Sequence, residues 1–220
     1  AGLTGTPTIS TTATAASNVN TYTITSATNN LAASNYDFSY VDGTLTVNRR
    51  PVTVTADAKT KIYGDANPTL TYTVAADGTG SSRGLYSTDT LSGSLGTTAI
   101  NSTGIGTVAI TQGTVNNANN SNYNITYTTA NLTIGKATLT VTADNQSRVY
   151  GDANPTLTYV IAGYKNSENA ILAGLTGTPT MSTTATAASN VNTYTITSAA
   201  NNLAASNYDF SYVDGTLTVN

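Results

Sequence analysis

The stretch Tyr63-Gly64-Asp65-Ala66-Asn67-Pro68-Thr69-Leu70-Thr71-Tyr72 returns letter for letter from Tyr150 to Tyr159. Such a tandem repeat limits the fold more than any other feature here, because each copy must fold alike and contact mainly its neighbours. Residues 1–48 return as 173–220 with two changes, Ile9 to Met181 and Thr28 to Ala200, at an offset of 172. A more diverged relation runs at an offset of 87, where Val52-Thr53-Val54-Thr55-Ala56-Asp57 matches Leu139-Thr140-Val141-Thr142-Ala143-Asp144. Asn35-Tyr36, Asn122-Tyr123 and Asn207-Tyr208 mark one place in three successive copies. One module is therefore about 86 residues long. The chain reads as the C-terminal part of a module (1–48), a complete module (49–135) and a second complete one (136–220).

Within a module, Val52-Thr-Val-Thr, Leu70-Thr-Tyr-Thr-Val, Tyr194-Thr-Ile-Thr, Tyr208-Asp-Phe-Ser-Tyr and Leu217-Thr-Val alternate large apolar with small polar residues. This period of two places Val, Leu, Ile, Tyr and Phe on a buried face and predicts an all-β chain. The repeated decapeptide reads as a structural turn feeding a strand. In it Tyr63, Gly64, Asp65 and Pro68, and again Tyr150, Gly151, Asp152 and Pro155, carry the backbone signals: Gly takes positive φ, Asp and Asn cap the backbone, and Pro delays the ladder. Asp214-Gly215 and Asp42-Gly43 predict hairpin turns, whereas the middle module has Thr129-Ala130 at that place. One short helical turn is expected at Ser167 to Gly174, capped by Ser167, with Ser81 to Thr88 as its counterpart. Residues 1–48 lack the first strands of their module and its Tyr-Gly-Asp turn, so this segment is expected to be the least stable.

Composition narrows the function. The chain has no Cys and no His, which removes disulfides, thiol and imidazole chemistry and most transition-metal sites. Charged residues are 9% of the 220, with eight basic and eleven acidic residues and a net charge of −3, so nucleic acid and anionic membrane are poor partners. No apolar run approaches the roughly 20 residues that span a bilayer. A long bacterial chain that must stay unfolded during export does well without cysteine, and an exported chain would carry its signal outside these residues. Catalytic, cofactor-binding and metal residues are expected to be none. Glu168 is the single Glu and no carboxylate pair emerges. A structural calcium at a module junction, near Asp42, Asp57, Asp144 or Asp214, is the one cofactor considered, although no Asp-x-Asp run supports it. Lys59, Lys61, Lys136 and Lys165 fall in expected loops or links, which disfavours Lys–Asn crosslinks. The Thr rows and Tyr36, Tyr40, Tyr208 and Tyr212 read first as the wet face and the core of strands.

The residues now in view are Val-Thr-Val-Thr-Ala-Asp, Ile/Val-Tyr-Gly-Asp-Ala-Asn-Pro, Asn-Thr-Tyr-Thr-Ile-Thr and Asn-Tyr-Asp-Phe-Ser-Tyr-Val-Asp-Gly-Thr-Leu-Thr-Val. Together they resemble the MBG/YDG-type repeats of large bacterial surface adhesins, over almost the whole chain. The resemblance implies tandem small β-rich modules, β-grasp-like or of immunoglobulin-like sandwich type, in an exported protein of adhesion or biofilm formation. The expectation is an elongated rod, monomeric and not an enzyme, at the bacterial cell surface. Its partners would be neighbouring modules of the same chain, with no nucleic acid and no membrane insertion. The alternative is a repeat that binds host or matrix glycan or protein through loops or Thr/Tyr faces.

Overall fold

The computed structural model describes residues 2–220, which form strands joined by turns and loops, with no helix among the described residues. In chain order the strands are β1 Thr8–Thr11, β2 Asn20–Ala27, β3 Gly43–Val47, β4 Arg50–Ala56, β5 Lys59–Ile62 and β6 Tyr72–Val74. They continue with β7 Gly96–Thr97, β8 Gly106–Thr111, β9 Tyr123–Thr128, β10 Ala130–Gly135, β11 Ala137–Ala143 and β12 Gln146–Arg148. The last are β13 Tyr159–Ala162, β14 Thr180–Thr183, β15 Asn192–Ala199, β16 Tyr208–Val213 and β17 Gly215–Val219. The chain is all-β, as the alternation predicts. It divides into two compact units, one of Ala1–Ala56, Thr71–Gly96 and Thr111–Thr129, the other of Asp57–Leu70, Thr97–Ile110 and Ala130–Asn220. The middle repeat gives strands to both.

The first unit holds two three-stranded sheets. In one, β2 lies between β1 and β3, all antiparallel. In the other, β4 pairs parallel with β9 and antiparallel with β6. Val52, Val54 and Ala56 occupy alternate positions of β4 and are buried, as the period of two requires. Pro51 sits at the start of β4, where a missing N–H is least costly.

The second unit holds the sheets β5-β10-β8-β7, β13-β11-β16 and β12-β17-β15-β14. The pairs β5/β10, β11/β16 and β12/β17 are parallel, and the remaining pairs with a defined register are antiparallel. In the last repeat, Ala143, Ala185, Ile196 and Leu217 form a buried cluster against which Leu157, Met181 and Tyr194 pack. A β-grasp lays its sheet on a helix; the last repeat instead has two mixed sheets, so the sandwich alternative describes it better.

Several expectations are corrected. Asp214-Gly215 does not close a hairpin, because β16 and β17 lie in different sheets. Asp214 Oδ1 accepts from the Ser198 N–H at 2.8 Å and Asn145 Oδ1 from the Thr216 N–H at 2.8 Å, and these bonds steer the chain between sheets. A Cβ on Gly215 would stand 2.6 Å from the Ala143 carbonyl oxygen, so the crossing needs glycine for room. Thr129-Ala130 likewise links strands of two sheets, and no Asp-Gly turn is required there. The helical turn is capped by Asn169, not Ser167: Asn169 Oδ1 accepts from the N–H groups of Ile171 and Leu172, both at 3.0 Å. It ends at Gly174 (φ 62°) with the paired bonds Leu175 N–H to Ala170 O and Gly174 N–H to Ile171 O. Lys59 and Lys61 lie in β5 rather than in a loop.

Candidate functional site

Each complete repeat builds its Tyr-Gly-Asp turn in the same way. The Asp65 N–H donates to Ile62 O at 3.1 Å and the Asp152 N–H to Val149 O at 3.2 Å, closing four-residue turns. Gly64 (φ 85°) and Gly151 (φ 89°) take the third position, which a type II turn reserves for positive φ. Two further bonds pin each turn to its own module. Tyr63 N–H donates to Gly135 O at 2.8 Å and Gly64 N–H to Asn101 O at 3.1 Å; Tyr150 N–H donates to Asn220 O at 2.9 Å and Gly151 N–H to Ala187 O at 3.2 Å. Pro68 and Pro155 follow, half-buried, and no strand forms before Tyr72 or Tyr159.

Beneath each turn lies a buried cation that the sequence reading missed. Lys61 Nζ donates to Asn67 Oδ1 at 2.9 Å, Ile100 O at 2.8 Å and Asp65 O at 3.1 Å. Arg148 takes the same place, with Nε on Asn154 Oδ1 at 2.8 Å and a terminal nitrogen on Thr186 O. The amides of Asn67 and Asn154 donate onward to Ala99 O and Ala185 O. A buried charge is tolerated only when its hydrogens are matched, and three acceptors match the ammonium. The signal was present in the sequence: both repeats carry a basic residue two places before Tyr and an Asn four places after it. Lys61 and Asn67 are the kind of pair an amide crosslink joins, but the other acceptors of Lys61 are backbone carbonyls, with no carboxyl to shuttle a proton.

What distinguishes the two turns is what stands over the tyrosine. Tyr63 is 3% exposed and its hydroxyl donates to Glu168 Oε1 at 2.5 Å. Tyr208 donates to Glu168 Oε2 at 2.6 Å and accepts from the Lys165 N–H at 2.8 Å. The Tyr63 and Tyr208 rings meet edge to face at 5.5 Å and 82°, a geometry favoured by the aromatic quadrupole. Burial, then the Glu168 bond, pushes the Tyr208 phenol up to about 12; the Glu168 bond, then burial, raises Tyr63. Lys165 Nζ closes the contact on Asp65 Oδ1 at 2.9 Å. Asp65 therefore serves an ion pair with the following repeat rather than capping its own loop. A Cβ at Gly64 would stand 2.3 Å from Lys165 Cβ, so glycine is needed for closeness as well as for φ. Tyr150, at the equivalent place in the last repeat, is 55% exposed.

Asn207 adds a second grip, its Oδ1 accepting from the Ile105 N–H at 3.2 Å. In the first unit Asn122 does the same for the Val19 N–H at 3.0 Å. There Tyr123 donates to Asp89 and accepts from the Tyr86 N–H at 3.0 Å, as Tyr208 does with Glu168 and Lys165. Residues 86–89 thus correspond to 165–168, which corrects the alignment of Ser81 to Thr88 with the helical turn. The loops 75–90 and 161–172, which differ most between copies, carry the acid that meets the Asn-Tyr pair.

The other candidates separate. Asp42 and Asp214 each accept from a backbone N–H, Ser26 at 2.9 Å and Ser198 at 2.8 Å, and Asp144 from the Thr158 hydroxyl at 2.7 Å. No three metal-ligating side chains gather among the described residues. Tyr208 enters the core, Tyr40 and Tyr212 are half-buried, and Tyr36 is exposed, contrary to the expectation for the whole set.

A sequence profile of the MBG domain (YGX type) matches residues 2–46, 52–133 and 139–218. Among curated proteins nothing matches the chain.

Proposed function

Because the chain belongs to the MBG domain family, YGX type, we propose that it is a spacer segment of an exported bacterial adhesin, whose repeats set a binding tip away from the cell. The observation that carries this reading is the Tyr63–Glu168–Tyr208 contact, in which the signature turn of one repeat is spent on the next repeat. A residue that a ligand site would leave open is consumed in joining modules. The role is structural and non-catalytic: the chain has no His and no Cys, and its single Glu is held by two phenols. The three matched repeats support neighbouring modules as partners.

The test is to place one, two or three copies of the 172-residue period between a cell-surface anchor and a fluorescent tag, and to measure the height of the tag above the membrane. At ~35–45 Å per module, each added period raises the tag by ~70–90 Å. A height that does not change with copy number overturns the spacer. Saturable binding of the chain itself to glycan or matrix would favour the ligand-binding alternative.

A further inference from the structure

In each complete repeat the first two strands run parallel to the last two. In the last repeat β11 pairs with β16 from Ala137 opposite Tyr208 to Thr142 opposite Val213, and β12 pairs with β17 from Gln146 opposite Leu217 to Arg148 opposite Val219. Every partner stands 71 residues further on, so one register holds through the crossing from sheet to sheet. Asn145 bridges the gap between the two ladders, its Oδ1 accepting from the Thr216 N–H, which is also 71 residues on. The pairing is closed at one end by the Ala137 N–H on Asn207 O at 3.0 Å, and at the other by the Tyr150 N–H on Asn220 O at 2.9 Å. The middle repeat follows the same plan at a constant interval of 73, with Arg50 opposite Tyr123 on β4 and β9 and Lys59 opposite Leu132 on β5 and β10.

Tension along the chain enters a repeat at the start of its first strand and leaves at the end of its last. In a parallel pair those two points lie at opposite ends of the ribbon, so the pull slides one strand along the other. The ladder bonds cross from strand to strand, and sliding loads all of them together. An antiparallel pair pulled from one end, as β15 and β17 would be, opens its bonds one after another. Side chains oppose sliding as well. A strand must shift by two residues, about 6.6 Å, before its side chains regain their faces, and Leu139, Val141, Leu217 and Val219 on these strands are buried. Lys136 Nζ holds Asp209 Oδ1 at 3.0 Å where the load enters, and further along the Ser211 hydroxyl donates to Thr140 Oγ1 at 3.0 Å. Lys136 is also the whole link between β10 and β11, so the last strand of one repeat pulls directly on the first strand of the next.

We infer that the parallel pairing of first and last strands is a shear clamp, which makes a complete repeat give way under tension in one cooperative step and not strand by strand. The inference goes beyond the spacer reading and stands whether or not the chain acts as a spacer. For a spacer it means that the repeat keeps its length under pull until the clamp fails.

The test pulls single molecules of the full chain through cysteine handles, which are specific because the chain has no Cys. One variant carries Lys136→Cys and Asn220→Cys and loads the clamp along its strands. A second carries Val191→Cys and Asn220→Cys and opens β15 from β17 at the end where Asn192 faces Val219. All three positions are exposed, and a urea midpoint like that of the native chain shows that direction of pull is the only difference. The first variant is expected to rupture in one step that frees residues 136–220, at a force about twofold or more above the second at equal loading rate. Arg49→Cys with Lys136→Cys applies the same pull to the middle repeat, where the same single step is expected, and it decides the matter if Lys136→Cys with Asn220→Cys does not fold. Equal force in the two directions, or release of β11 and β12 ahead of the rest, overturns the inference, as does stepwise release in the middle repeat.

Discussion

Glu168 receives two phenols, and of the two tyrosines of the repeated turn only Tyr63 is buried beneath such a carboxylate, whereas Tyr150 is exposed. Tyr63→Phe removes a hydrogen bond to a charged group and is expected to cost roughly 1.5–3 kcal/mol. Tyr150→Phe alters a residue that is 55% exposed and should stay within about 0.5 kcal/mol. Urea unfolding of the two variants in parallel checks this, and equal losses would contradict the clasp. The same cluster sets a pH dependence. The native Tyr208 phenol is held at about 12, above its ordinary value near 10, so the folded state keeps a proton that the unfolded state has already lost. The stabilisation is complete below pH 10 and falls as pH rises through about 12. Tyr63, raised by the Glu168 bond and then by burial, and Tyr123, raised by burial and then by its Asp89 bond, act in the same direction. Urea midpoints between pH 9 and 12 should fall in the native chain and fall less steeply in Tyr208→Phe.

At the scale of the element, the chain holds two copies of one sequence in different surroundings. Leu217 is fully buried, whereas Leu45, its equivalent, is 39% exposed; Tyr208 is 1% exposed and Tyr36 70%. Leu217→Ala should therefore cost about 2–5 kcal/mol, and Leu45→Ala under about 1 kcal/mol, by thermal or urea unfolding. The alternation of Thr with Val, Leu and Tyr makes strands legible in the sequence, and the Tyr-Gly-Asp turn is legible from its glycine. Strand partners are not legible. The run Asn-Tyr-Asp-Phe-Ser-Tyr-Val becomes β16 where β11 offers an edge and remains irregular at 36–41, because a strand is completed by its neighbour's hydrogen bonds and not by its own residues. The Asp-Gly hairpin failed for a related reason: side-chain oxygens of Asp214 and Asn145 hold the backbone across two sheets, and local turn preference does not foresee a partner at 198 or 145. The clasp was hidden because Glu168 stands 105 residues from Tyr63 in a loop that the repeats do not share.

At the scale of the whole molecule, the account claims that each repeat is built to be joined. Tyr63 of the middle repeat meets Glu168 and Tyr208 of the next, and Asn122 and Asn207 grip the loops of the repeats behind them. The measurement that tests this most directly is small-angle X-ray scattering of the chain in solution. A compact particle of this length has a radius of gyration of about 17 Å, whereas modules joined end to end over about 100 Å give about 30 Å. The proposed spacer role predicts the larger value, unchanged by calcium. A value near 17 Å would mean that the repeats fold onto one another, and the spacer reading would fail.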